Sequence, residues 1–147
     1  MADAELAPDG SVHYDDLREK RSWPSVGELA AEYWAYQHLT GRDRERADQA
    51  AWACVSALME DPSPRWVEVV QALVDSAATD GDLGLVGAHA IEELMRFNGH
   101  GDEVIDEVER RARRDRRFRS AVASMWLGDD LSPKVLARLQ KIGAKRP

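Results

Sequence analysis

Four polar side chains stand close enough in sequence to hold a metal ion or move a proton. His89 precedes Glu92 and Glu93 by three and four residues, a spacing that sets an imidazole and a carboxylate on one face of a helix, and His100 follows shortly after. A helical di-metal carboxylate centre also needs a Glu-x-x-His pair on a second helix, and the chain has no such pair. The sequence therefore assigns no metal and no cofactor. It leaves His89, Glu92 and His100 as a polar site whose plain role is to face solvent or cap a helix. Glu92 sits at the inner edge of the stripe Ile91, Leu94, Met95, where a carboxylate calls for an arginine or for helix N-terminal amides.

The other patterns that could carry chemistry are weaker. Gly99-His100-Gly101 before a helix resembles an anion-binding nest, but Asp102 and Glu103 at the same helix start repel phosphate, which leaves a simple interhelical turn. Gly81, Gly84 and Gly87 follow no strand and lack the Gly-Lys-Ser/Thr ending of a phosphate loop. Neither a Gly-x-Ser-x-Gly elbow nor a His-Glu-x-x-His zinc motif is present. The single cysteine, Cys54, lies amid Trp52, Val55 and Leu58 and reads as a small buried hydrophobe. The sequence gives no positive sign of catalysis.

Charge is the stronger signal. Residues 1–109 hold 8 Lys/Arg against 24 Asp/Glu, a net of −16, whereas residues 110–147 hold 12 against 3, a net of +9. Seven arginines fall between Arg110 and Arg119. Part of that block has a local explanation, because Asp106, Glu107 and Glu109 precede Arg110, Arg111 and Arg113 by three or four residues on a helix. Around Arg116, Arg117 and Arg119 only Asp115 offers compensation. The candidate interface is therefore Arg110, Arg113, Arg114, Arg116, Arg117 and Arg119. Trp23 joins it as the one tryptophan outside an apolar stripe, either stapling the chain to the core or exposed for a partner. A protein of net charge −7 and pI near 5.1 is repelled by phosphate overall, which ranks nucleic acid behind protein as a partner.

These side chains are carried on what reads as an all-α domain. A chain of 147 residues that is 44% apolar has material for one core. Ser25 with Glu28 makes a capping box, opening a helix with Val26, Leu29, Ala30, Tyr33 and Trp34 inward that stops at Thr40-Gly41. A second helix carries Ala47, Ala51, Val55, Leu58 and Met59 and ends before Asp61-Pro62. Ser63-Pro64 opens a third, with Trp66, Val69, Val70 and Leu73, closed by Thr79-Asp80-Gly81. A fourth runs from about Leu83 to Asn98, and a fifth starts at Gly101 or Asp102. Phe118, Ala121, Val122, Met125 and Trp126 define a sixth, and Ser132-Pro133 caps a seventh. Short links imply antiparallel hairpins in a bundle or a short HEAT-like α-solenoid. Residues 1–22, acidic and without sustained period, read as a flexible segment, 23–143 as the helical domain and 144–147 as a frayed end.

The order Glu28-Leu29-Ala30, Trp34, Trp52-Ala53, Asp61-Pro62, Trp66, Glu92-Glu93-Leu94, Gly99, Ile105-Asp106, Arg114-Asp115, Phe118-Arg119 and Trp126 resembles an uncharacterised bacterial family of unknown function. That family consists of small, stand-alone helical proteins. The resemblance spans roughly residues 25–140, and it implies a helical fold and no particular activity.

The functional expectation is a non-enzymatic module that binds another protein, as small immunity-like or antitoxin-like proteins do, or a second copy of itself as a homodimer. The alternative is a nucleic-acid-associated regulator that sets Arg110 to Arg119 on phosphates. No apolar run approaches the about 20 residues that span a bilayer, so a membrane role is not expected and the setting reads as cytoplasmic.

Overall fold

The structure, a computed structural model, describes residues 3–96 and 101–145. It overturns the all-α expectation at the N-terminus. The strands β1 (Asp3–Leu6), β2 (Val12–Asp15) and β3 (Lys20–Trp23) form an antiparallel meander in the order β1-β2-β3. The register pairs Leu6 with Val12 and Asp3 with Asp15 on one side, and Val12 with Trp23 and Asp15 with Lys20 on the other. The stretch read as a flexible acidic segment is thus a sheet.

Its reason is local. Val12-His13-Tyr14-Asp15 alternates inward and outward, so Val12 and Tyr14 are buried with Leu6 and Trp23 while His13 and Asp15 face out. The first turn is built by Pro8-Asp9-Gly10, with Gly10 at φ 90° and the Asp9 carboxylate accepting from the Ser11 amide at 2.9 Å. In the second, Asp16 Oδ1 accepts from the Arg18 and Glu19 amides at 2.7 and 2.8 Å. Three strands of four residues each are too short to stand out over a helical window, and their acidic composition imitates a disordered tail.

The sheet packs on the helices. Trp23, 4% exposed, donates from Nε1 to Glu32 Oε2 at 3.1 Å, and the Arg21 guanidinium binds that carboxylate at 2.6 Å and also reaches Asp48. Trp23 is therefore a staple onto the core and not an exposed anchor.

The helices follow as α1 (Val26–Gln37), α2 (Gly41–Arg46), α3 (Ala50–Glu60), α4 (Trp66–Ser76), α5 (Asp80–Val86), α6 (Glu92–Arg96), α7 (Gly101–Arg114), α8 (Arg116–Ala123) and α9 (Pro133–Ile142). Ser25 and Ser132 cap helices as the sequence reads, whereas Thr79, read as closing the third helix, opens α5 instead. Ser25, Thr79 and Ser132 accept from the amides of Glu28, Asp82 and Val135, and Asp115 accepts from those of Arg117 and Phe118. The short helix α2 had no apolar stripe to announce it. A π-helical turn, Gly87–Ile91, joins α5 to α6 into one rod.

The arrangement is not a stack of sequential hairpins. The helix α1 packs against α4 and α5 against α8, pairs distant in sequence, whereas a solenoid repeat touches only its neighbours. At the tightest crossing Gly87 lies on the backbone of Ala121, so close that any Cβ would overlap the carbonyl oxygen. Residues 144 and 145 are held too: Ala144 is buried and the Lys145 carbonyl accepts from the Leu127 amide at 3.2 Å. Trp34 and Trp66 lie in the core and Trp52 is half-buried, but Trp126, expected inward, is 55% exposed because α8 ends at Ala123 and the chain turns before it. Among the described residues no helix is long and apolar enough to cross a membrane.

Candidate functional site

Two places in this fold gather chemistry. The first is His89, in the middle of the π-helical turn. A π turn adds a residue to the helical repeat, and such turns recur at functional positions. Here it aims the imidazole into the core, 7% exposed. The Tyr33 ring from α1 and the Trp52 ring from α3 lie parallel to it within 5° and 9°, with centroids at 5.8 and 4.7 Å. Both ring nitrogens are engaged: Nδ1 is 2.8 Å from the Tyr33 hydroxyl and Nε2 is 2.7 Å from Ser56 Oγ. Ser56 Oγ in turn donates to Glu93 Oε1 at 3.3 Å.

With Ser56 donating to Glu93, Nε2–H gives its proton to the Ser56 oxygen and Nδ1 accepts from Tyr33. The chain runs Tyr33, His89, Ser56, Glu93. Burial pushes the His89 imidazole down to about 4, which keeps it neutral, and pushes the Tyr33 hydroxyl up. Burial also raises the Glu93 carboxyl, with the Ser56 hydrogen bond opposing and the Glu60 charge adding to the rise.

Of the two carboxylates that the spacing offered to His89, Glu93 at four residues lies 3.5 Å from Nε2 and Glu92 at three does not join it. Glu92 turns away and pairs with Arg96 at 2.8 Å, whose guanidinium also donates to the Trp126 carbonyl at 2.6 Å and lies 3.9 Å from Asp130. His100 falls outside the described residues, as does most of the Gly99-His100-Gly101 turn. Among the described residues no three His, Cys, Asp or Glu side chains converge as metal ligands. Tyr33, Ser56 and Trp52 had been read only as core or passed over, and no local spacing could have found them. They come from helices that meet the π turn only in three dimensions.

The second place is the corner between α7 and α8. The structure divides its arginines into those engaged within the chain and those that are not. Arg110 and Arg111 bind Glu107, at 2.5 and 3.1 Å, and Arg113 binds Glu109. Arg117 donates to the Val74 carbonyl at 2.8 Å and to the Ala77 carbonyl at 2.5 Å, closing the C-terminal end of α4. Asp115 is held by Gln71 at 2.9 Å while it caps α8, which fixes the bend. Arg114, Arg116 and Arg119 are exposed and make no side-chain hydrogen bond or ion pair among the described residues.

A family of unknown function, DUF6869, matches residues 30–146. The chain belongs to the DUF6869 family. The match covers all the helices from α2 to α9 and most of α1, and therefore both the His89 cluster and the arginine corner, while the sheet lies before it. No curated protein and no solved structure matches the chain. Membership in DUF6869 carries no activity across to this protein.

Proposed function

We propose that this DUF6869 protein is a non-enzymatic interaction module that docks an acidic protein surface on the α7–α8 corner. One observation carries the reading: Arg114, Arg116 and Arg119 stand exposed without partners beside four arginines that are engaged internally. Long cationic side chains left in water on a bend fixed by Asp115 form a fixed positive patch on a negative molecule, which steers an acidic partner to one place. The His89 cluster fits this reading as a buried link between α1, α3 and the π-helical turn, with both ring nitrogens occupied by side chains of the protein. The cytoplasmic setting expected from the sequence belongs to the same proposal.

The test compares the wild type with Arg114→Glu/Arg116→Glu/Arg119→Glu in affinity capture from the native cell after nuclease treatment. A protein retained by the wild type and lost by the folded variant supports the reading. Retention of nucleic acid, with affinity falling steeply with salt, would replace it with a phosphate-binding role. Equal capture by both proteins removes the corner from function.

A further inference from the structure

The arginine corner is one end of a surface whose other end has the opposite character. The helix α8 buries Phe118, Ala121 and Val122 and turns Arg116, Arg119 and Ser120 outward. Just past its C-terminal end come the exposed Trp126 ring and the exposed carboxylates Asp129 and Asp130. The rod α5–α6 presses onto that same end, with Gly84 facing the Ser124 side chain and Gly87 on Ala121. Ala88, Glu92, Glu93 and Arg96 of the rod, together with Asp130, line a recess of about 340 Å³. Arg96 ties recess and tryptophan together, since it contacts Glu92, the Trp126 carbonyl and Asp130. Three carboxylates against one guanidinium leave the recess negative.

A helix of eight residues is about 12 Å long, so α8, with Arg116 and Arg119 on it and Arg114 just before it, separates these arginines from Trp126 and the acidic recess past its C-terminal end by little more than its own length. A surface that is cationic at one end and anionic with an open indole at the other is complementary to itself when turned by 180°. We infer that the acidic partner of the α7–α8 corner is a second copy of this chain: two α8 helices pair antiparallel about a twofold axis, and Arg116 and Arg119 of each copy meet the recess and Trp126 of the other. This inference rests on the interaction reading above and names its partner. Arginine suits the recess because its guanidinium binds carboxylates in a fork and stacks on an indole face. The small side chains of Ser120 and Ala123 between the two ends allow the helices to approach. Association through exposed charge is screened by salt, so the dimer forms at low ionic strength and dissociates at high.

Sedimentation velocity over a concentration series tests it on the full chain. The wild type dimerises at low ionic strength and reverts to monomer in high salt. Arg116→Glu/Arg119→Glu is monomeric, and so is Asp129→Lys/Asp130→Lys, each with the circular dichroism of the folded wild type. An equimolar mixture of these two variants restores the dimer, because each then meets opposite charge at both ends, and Trp126→Ala weakens the wild-type dimer at least several-fold. A wild type that stays monomeric throughout overturns the inference, as does a dimer that survives Arg116→Glu/Arg119→Glu. A monomer that still captures a different protein through Arg114, Arg116 and Arg119 sinks the self-pairing alone; a monomer with equal capture by wild type and variant sinks the interaction reading as well.

Discussion

The hydroxyl of Tyr33 lies 2.8 Å from Nδ1 of His89, across 56 residues of sequence, with the two rings parallel within 5°. That pair pins α1 to the π-helical turn, and the second nitrogen of His89 pins the turn to Ser56 on α3. Three elements are thus joined by one neutral imidazole in the interior. Hydrogen bonds made away from water are costly to leave unmade, so the cluster specifies this packing as well as stabilising it.

Acid should therefore weaken the fold through His89. Its folded-state value of about 4 lies below the 6.5 of an exposed imidazole, so the unfolded chain takes up this proton first. Stability is undiminished above about pH 6.5, falls as pH drops from there, and levels off near pH 4, a loss on the order of 3 kcal/mol. Glu93 acts in the opposite sense toward the acid end, because burial favours its neutral form in the folded protein. Urea unfolding across this range should show a steeper decline for the wild type than for His89→Gln. Identical slopes would mean that His89 is not buried neutral.

Gly87→Ala should destabilise by about 1–3 kcal/mol, since the added methyl meets the Ala121 carbonyl oxygen and the rod must shift off α8. Ala is otherwise the better helix former, so a stabilised variant in thermal unfolding would refute the close crossing.

Trp23→Ala tests whether the sheet belongs to the same cooperative unit as the helices. Loss of a 4%-exposed indole from the core costs about 3–5 kcal/mol. The expected result is one unfolding transition at lower denaturant, seen alike by far-ultraviolet circular dichroism and by tryptophan fluorescence. Unchanged helix unfolding would mark the sheet as an independent flap.

The arginines should separate in stability as they do in structure. Arg117→Ala removes a charged donor from two carbonyls at the end of α4 and should cost about 1–2 kcal/mol. Arg114→Ala and Arg119→Ala should stay within about 0.5 kcal/mol of the wild type. Chemical denaturation of the three variants settles it; equal effects would erase the distinction on which the docking corner rests.

Cys54 should resist alkylation in the native protein. Burial pushes its thiol up to about 12, and only the thiolate attacks an alkylating agent. Modification should appear only with unfolding, tracked by mass; fast labelling of folded protein would contradict the packing of α3.

What the amino-acid order determined by itself was whatever is decided within a few residues. Ser25 and Ser132 start helices because a hydroxyl reaches the amide three residues on, and Asp61-Pro62 ends one because proline lacks a donor. The sheet was missed: residues 1–22 read as a flexible segment, because four-residue strands such as Val12 to Asp15 acquire meaning only from pairing with each other and covering α1 and α3. The charge division between residues 109 and 110 was also plain to read. So were the pairs of Arg110 and Arg111 with Glu107 and of Arg113 with Glu109, but not Arg117, which finds its carbonyls on α4 some 40 residues away, nor Arg138, which joins Arg113 on Glu109. Spacing offered Glu93 as well as Glu92 to His89, but it could not tell that Glu93 would be the one within reach, nor that Tyr33 and Ser56 would join from other helices. Local chemistry shapes segments, and only tertiary packing decides which side chains are left in water to meet another molecule.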